Sequence, residues 1–113
     1  MTVAFLLLLM PVMADASKQP TWWPQAVSEA AKDGFGLITH NQLKALYNKK
    51  TRMLVVDVRP DYEYRAGHLP EAKNLEFDLG DRLDLSPAKR AAFKALLGQT
   101  KDRLIVIYCR SFR

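Results

Sequence analysis

Cys109 is the only cysteine in the chain; it follows the apolar run Leu104 to Tyr108 and precedes Arg110. A thiol at the carboxyl end of a strand, set among cations, is where an α/β protein places a sulfur nucleophile. Only the thiolate attacks, and nearby positive charge favours that form. A second strand end carries Asp57-Val58-Arg59 after an apolar run that begins at Met53. Both ends fall on the rim where the loops of a parallel sheet converge and ligands bind. A carboxylate buried at such a position needs partners. Asp57 is therefore expected to brace loop backbone through hydrogen bonds rather than to act on substrate.

The elements that must position these groups follow from the pattern. Thr39 with Gln42 three residues on forms a capping box, and Leu43, Leu46 and Tyr47 then fall at helical spacing, so a short helix follows a brief strand near Leu37. Met53 to Val58 is apolar almost throughout and reads as a strand covered on both faces. Pro60 suits the first turn of a short helix through Ala66, with Gly67 as its left-handed stop. Lys73 to Phe77 forms a further short strand. Ser86-Pro87 is an N-cap with proline at the first helical position; Phe93, Leu96 and Leu97 make a buried stripe, and Gly98 ends the helix. Leu104 to Tyr108 returns as a strand. The alternation predicts an α/β fold, a parallel sheet with helices on both faces.

Composition narrows the function. With 113 residues, 49% hydrophobic and 26% charged, the chain is ordinary in makeup, without repeats or low-complexity segments. Residues 1–16 read as a signal peptide: Val3 to Met13 is apolar, and Ala14-Asp15-Ala16 supplies the small-x-small cleavage pattern. The apolar run falls short of the ~20 residues of a spanning helix, so the expectation is a periplasmic or secreted protein, with a retained membrane anchor as the less favoured alternative. Removing the segment takes away Asp15 and no base, raising the net charge from +5 to +6. Lys and Arg are scattered, which argues against nucleic acid as a partner. Residues 17–36 form a lead-in in which Pro20 and Pro24 flank Trp22-Trp23. Residues 37–113 form the domain proper. One cysteine and two histidines, His40 and His68, lack the spacing of a metal or haem site, and no glycine-rich phosphate loop occurs, so no cofactor is expected.

The segment LVVDVRPDYEYRAGHLPEAKNLEF, residues 54–77, and IVIYCRS, residues 105–111, together resemble the rhodanese family of sulfurtransferases. The resemblance rests on D-V-R, Glu63, Gly67-His68-Leu69-Pro70, Ala72 and Asn74, with cysteine ending the later strand. It implies a rhodanese-like sheet and a two-step reaction. Cys109 takes sulfane sulfur from thiosulfate or a similar small anionic donor as a persulfide, then passes it to a thiol or cyanide acceptor. Arg110, Ser111, Phe112 and Arg113 would form the loop that holds the donor, its inward amides favouring the ionised sulfur. Asp57, Arg59, Glu63 and His68 would be structural supports, Arg59 and Glu63 as an ion pair or caps. Phe112 departs from the family, which carries a small residue near that position. The resemblance also implies a helix, a strand and a closing helix after the loop. With these missing, the 113-residue chain alone is expected to be weakly active or inactive. Two further readings stay open: a binding or sulfur-relay module that receives sulfur from a partner protein, and a phosphatase sharing the fold.

Overall fold

Both apolar runs form strands, and they pair with each other. The computed structural model describes residues 19–110; the expected signal peptide, 1–16, and Ser111, Phe112 and Arg113 lie outside the described residues. Strand β1 (Met53–Asp57) is central, flanked by β2 (Lys73–Asn74) and β3 (Leu104–Tyr108), and all pairings are parallel. The connections hold α3 (Asp61–Ala66) between β1 and β2, and α4 (Leu79–Leu83) and α5 (Pro87–Leu97) between β2 and β3. Two helices precede the sheet in sequence: α1 (Trp23–Asp33) and α2 (His40–Asn48). This is the mixed α/β architecture, a parallel sheet flanked by helices, that the alternating pattern predicts.

The described residues divide into two compact units, one ending at Leu43 and one beginning at Lys44. In the first, α1 has Pro24 in its opening turn and ends at Gly34, whose left-handed backbone (φ 78°, ψ 26°) lets its N–H return to Ala30 O. Ala26 and Ala30, one turn apart, are its buried residues. Thr39 Oγ1 accepts from Gln42 N (3.2 Å) while Gln42 Oε1 accepts from Thr39 N (2.8 Å), the reciprocal cap that starts α2. The brief strand expected near Leu37 does not form. Residues 35–39 are irregular and find no pairing strand among the described residues.

In the second unit the core is small and centred on β1: Val55, Val56 and Asp57, with Ala72 and Val106. Val56 is wholly inaccessible, and burying a valine to that degree stabilises by about 1.5–3 kcal/mol. Strand β3 is less buried than its apolar sequence predicts, with Leu104 43% and Ile107 59% exposed. Among the described residues it stands at the sheet edge and pairs with β1 alone. The α5 stripe of Phe93, Leu96 and Leu97 is likewise half-buried, with Phe93 edge-on to Phe77 at 6.1 Å. Ser86 Oγ accepts from Lys89 N to open α5, and Gly98 closes it.

Three local expectations are corrected. Pro60 is the N-cap of α3, not a residue of its first turn; its carbonyl accepts from Glu63 N and Tyr64 N. Gly67 is extended (φ 162°, ψ 137°) and supplies no left-handed stop. The chain leaves α3 in a direction that carries Gly67 O to Arg59 Nη2 at 2.7 Å. The strand after the turn is two residues long, although Leu75 N and Phe77 N still bond to Asp57 O and Val58 O. Between α3 and β2, Ala72 N bonds Leu69 O across Pro70-Glu71. Glu71 lies at φ 61°, the left-handed value that the third residue of a proline-led type II turn requires.

Candidate functional site

The sheet register places three polar residues side by side at the carboxyl ends of the strands. Asp57 is level with Asn74 of β2 and with Tyr108 of β3. Strands β1 and β3 are apolar up to that level and turn polar where the sheet opens onto loops. Asp57 is completely buried. Its Oδ1 accepts from Arg59 N (2.9 Å) and Arg59 Nε (3.0 Å); its Oδ2 accepts from Arg59 Nη2 (2.7 Å) and from the Tyr108 hydroxyl (2.8 Å). Asn74 Nδ2 donates to the carbonyls of Asp57 and Arg59, and Val58 N donates to Tyr108 O (3.1 Å). The 57–59 turn is thereby fixed on three sides.

Electrostatics follow from these contacts. Burial by itself pushes the Asp57 carboxyl upward and is the largest single influence. The hydrogen bonds from the Arg59 side chain and backbone and from Tyr108, with the Arg59 charge, outweigh it and hold the group below the ordinary carboxylate value. Arg59 is raised in return, chiefly by its bond to Asp57. Tyr108 is raised, first by burial and then by donating to a carboxylate, against the opposing N–H of Leu69, which donates to its oxygen at 3.1 Å. One phenol thus ties the end of β3 to the end of β1 and to the Gly67–Pro70 segment.

Cys109 is the residue after Tyr108 and is exposed. It lines a cavity of about 760 Å³ whose walls include Arg59, Arg110 and Arg82 and the apolar Val58, Phe77 and Leu79. Arg110 Nη1 pairs with Glu63 Oε1 of α3 at 3.0 Å. The expected pairing of Arg59 with Glu63 is therefore replaced by two separate pairs. Asp57 lies two residues from Arg59 with both oxygens presented to its fork, which leaves Glu63 for Arg110. His68 is exposed and outside the cavity wall. Its ring stacks on Tyr64 (centroids 3.8 Å apart, planes 11° apart), and its Nδ1 lies 2.8 Å from Tyr64 O. A carbonyl can only accept, so that nitrogen carries the proton.

Tyr108, Asn74 and Arg82 are missing from the sequence-based set. Tyr108 carried a signal: a hydroxyl-bearing aromatic at the end of an otherwise apolar strand needs a buried partner. Arg82 depends on α4, a helix opened by Asp78 and Asp81, each side chain accepting from the other's backbone N–H at 2.9 Å. Asp81 also pairs with Lys89 of α5. Among the described residues, no group of three His, Cys, Asp or Glu side chains could hold a metal ion, and no helix is long and apolar enough to cross a membrane. No curated protein and no solved structure gives a match to the chain. A family model, described as Rhodanese-like domain, matches residues 39–113, more than half of the sequence.

Proposed function

Because the chain belongs to the rhodanese-like domain family, we propose that it is a sulfurtransferase that carries sulfane sulfur as a persulfide on Cys109. The observation that carries this reading is the placement of Cys109. It is exposed, one residue beyond the Tyr108–Asp57–Arg59 network, on the wall of a cavity that also receives guanidinium groups. The Cys109 thiolate attacks the outer sulfur of thiosulfate. A new S–S bond forms, the bond to the sulfonate sulfur breaks, and sulfite departs with the electron pair. Cyanide or a thiolate then takes the outer sulfur and restores the Cys109 thiolate. Charge is conserved in both steps, and neither requires a general base. His68, outside the cavity, has no part in it.

The network gives the sulfur a fixed base. Tyr108 is held by Asp57 and by Leu69 N, so the backbone bearing Cys109 leaves the sheet in one direction. Export through residues 1–16 is part of the same proposal, and it places the reaction outside the cytoplasm. The test is intact-mass analysis of the purified chain after exposure to thiosulfate. Loading is a single stoichiometric event that slow turnover does not prevent, so addition of one sulfur atom to the wild type and none to Cys109→Ser is the expected result; an unchanged wild-type mass refutes the reading.

A further inference from the structure

The opposite rim of the sheet, at the amino ends of the strands, carries charge that the sulfur chemistry does not use. Met53 and Leu104 are level across β1 and β3, so Arg52 and Arg103, the residue before each, enter the sheet side by side. Adjacent strands lie about 4.8 Å apart, a spacing at which like charges repel. At about 3.3 Å per residue, the length of β1 puts this rim about 16 Å from the Asp57 end. Arg52, Arg103, Thr100, Asp102, Leu97 and Gly98 line a cavity of about 320 Å³ there, near the lower end of the roughly 300–1,000 Å³ range of small-ligand sites. Arg103 is planted by α5: its Nη2 donates to Leu97 O at 2.7 Å, in the last turn of the helix, where a cation is favoured. That cap accounts for one nitrogen. Nε is buried without a hydrogen-bond partner, and Nη1 makes no hydrogen bond among the described residues. Asp102 forms no ion pair with either arginine among the described residues, and Lys101 beside it offsets its charge.

We infer that this cavity binds a phosphate monoester, separately from the Cys109 rim. Near neutral pH that group is close to a dianion with three acceptor oxygens. Arg52 and Arg103 bring two positive charges and forked N–H donors to it, and the Thr100 hydroxyl is a further donor. The anion removes the repulsion between the two arginines, which no carboxylate of the described residues relieves. A carboxylate ligand, with a single charge, would match one arginine and leave the other.

The experiment follows the backbone amides of the full, isotope-labelled chain by NMR while methyl phosphate or acetate is added at low salt. A second arm sediments the chain with phosphatidylcholine vesicles with and without phosphatidic acid, which presents the same group on a lipid. Methyl phosphate is expected to shift the amides of Gly98, Thr100 and Arg103 with half-saturation at about 1 mM, and acetate to need about tenfold more, for want of one charged hydrogen bond. Arg52→Gln is expected to raise the methyl phosphate half-saturation about tenfold. Asp102→Asn is expected to lower it several-fold, because a like charge leaves the cavity. Both side chains are exposed, so the fold tolerates their replacement. Cys109→Ser is expected to bind as the wild type does. Saturation by methyl phosphate identifies a soluble ester as the ligand; sedimentation with phosphatidic acid alone, lost in Arg52→Gln, identifies a lipid headgroup. No response in either arm, shifts confined to Arg59 and Arg110, equal half-saturation by acetate, or binding unmoved by Arg52→Gln would overturn the inference.

Discussion

Replacing Asp57 with asparagine keeps the shape of the side chain and removes one of its two acceptor oxygens. With the remaining oxygen kept toward Arg59 N, the amide nitrogen meets two groups that had donated to Oδ2: Arg59 Nη2 at 2.7 Å and the Tyr108 hydroxyl at 2.8 Å. The Tyr108 hydroxyl can turn and accept from the amide, but Arg59 Nη2 can only donate and then faces a donor. Breaking a buried pair from one side costs about 3–5 kcal/mol. Because Arg59 retains 20% side-chain exposure and can recover some hydration, we expect the lower end for Asp57→Asn, about 3 kcal/mol. For a chain of this length that corresponds to a fall in melting temperature of about 12 °C by circular dichroism. The pH dependence carries its own sign. The folded carboxyl is held below its ordinary value, so its stabilising contribution is complete above the unfolded value of about 3.9 and is lost as pH falls through the lower, folded value. In the variant that acid-side loss should be shallower. A melting shift of less than about 2 °C near neutral pH would refute the claim that this network holds the strand ends together.

Further predictions concern the backbone around the site and its charges. Gly98 lies at φ 75° and ψ −178°, a region essentially reserved for glycine, and an added Cβ would meet only Arg103 Nη2 at 3.6 Å, an ordinary contact. Gly98→Ala should therefore destabilise by a backbone effect of about 1–3 kcal/mol, read as a lower urea midpoint with unchanged slope. Glu71 holds φ 61° without being glycine; Glu71→Gly should stabilise by about 0.5–1 kcal/mol, the relief of left-handed strain less the entropy of a freer unfolded chain. Glu63→Gln releases Arg110. Sulfur addition from thiosulfate should then speed up about twofold at about 10 mM salt, and the gain should vanish near about 1 M, where exposed charges are screened. A gain independent of salt would show that Glu63 acts through something other than the Arg110 charge.

Legibility from sequence differed by element for physical reasons. β1, α5 and the Thr39–Gln42 cap were readable because an unbroken apolar run, a Ser-Pro start and a reciprocal cap each have one structural outcome. The helix α4 was not, since Leu79-Gly80-Asp81 has poor helix propensity and its start depends on two aspartates capping each other. With α4 went Arg82, a cavity residue that no pattern in the sequence singles out. The buried state of Asp57 followed from its place at the end of an apolar strand, but its partners did not. Which arginine pairs with which acid depends on distances across α3 and β3 that only the folded chain sets. Gly67 shows the same limit: glycine permits a left-handed stop, yet here it is extended, with its carbonyl accepting from Arg59.

The most direct test follows the sulfur atom itself. The chain is loaded with thiosulfate labelled in its outer sulfur, freed of excess donor, and treated with cyanide. The account predicts that the label leaves as thiocyanate, about one per chain, and that Cys109→Ser releases none. Label that never enters the chain, or that leaves equally from Cys109→Ser, would contradict it.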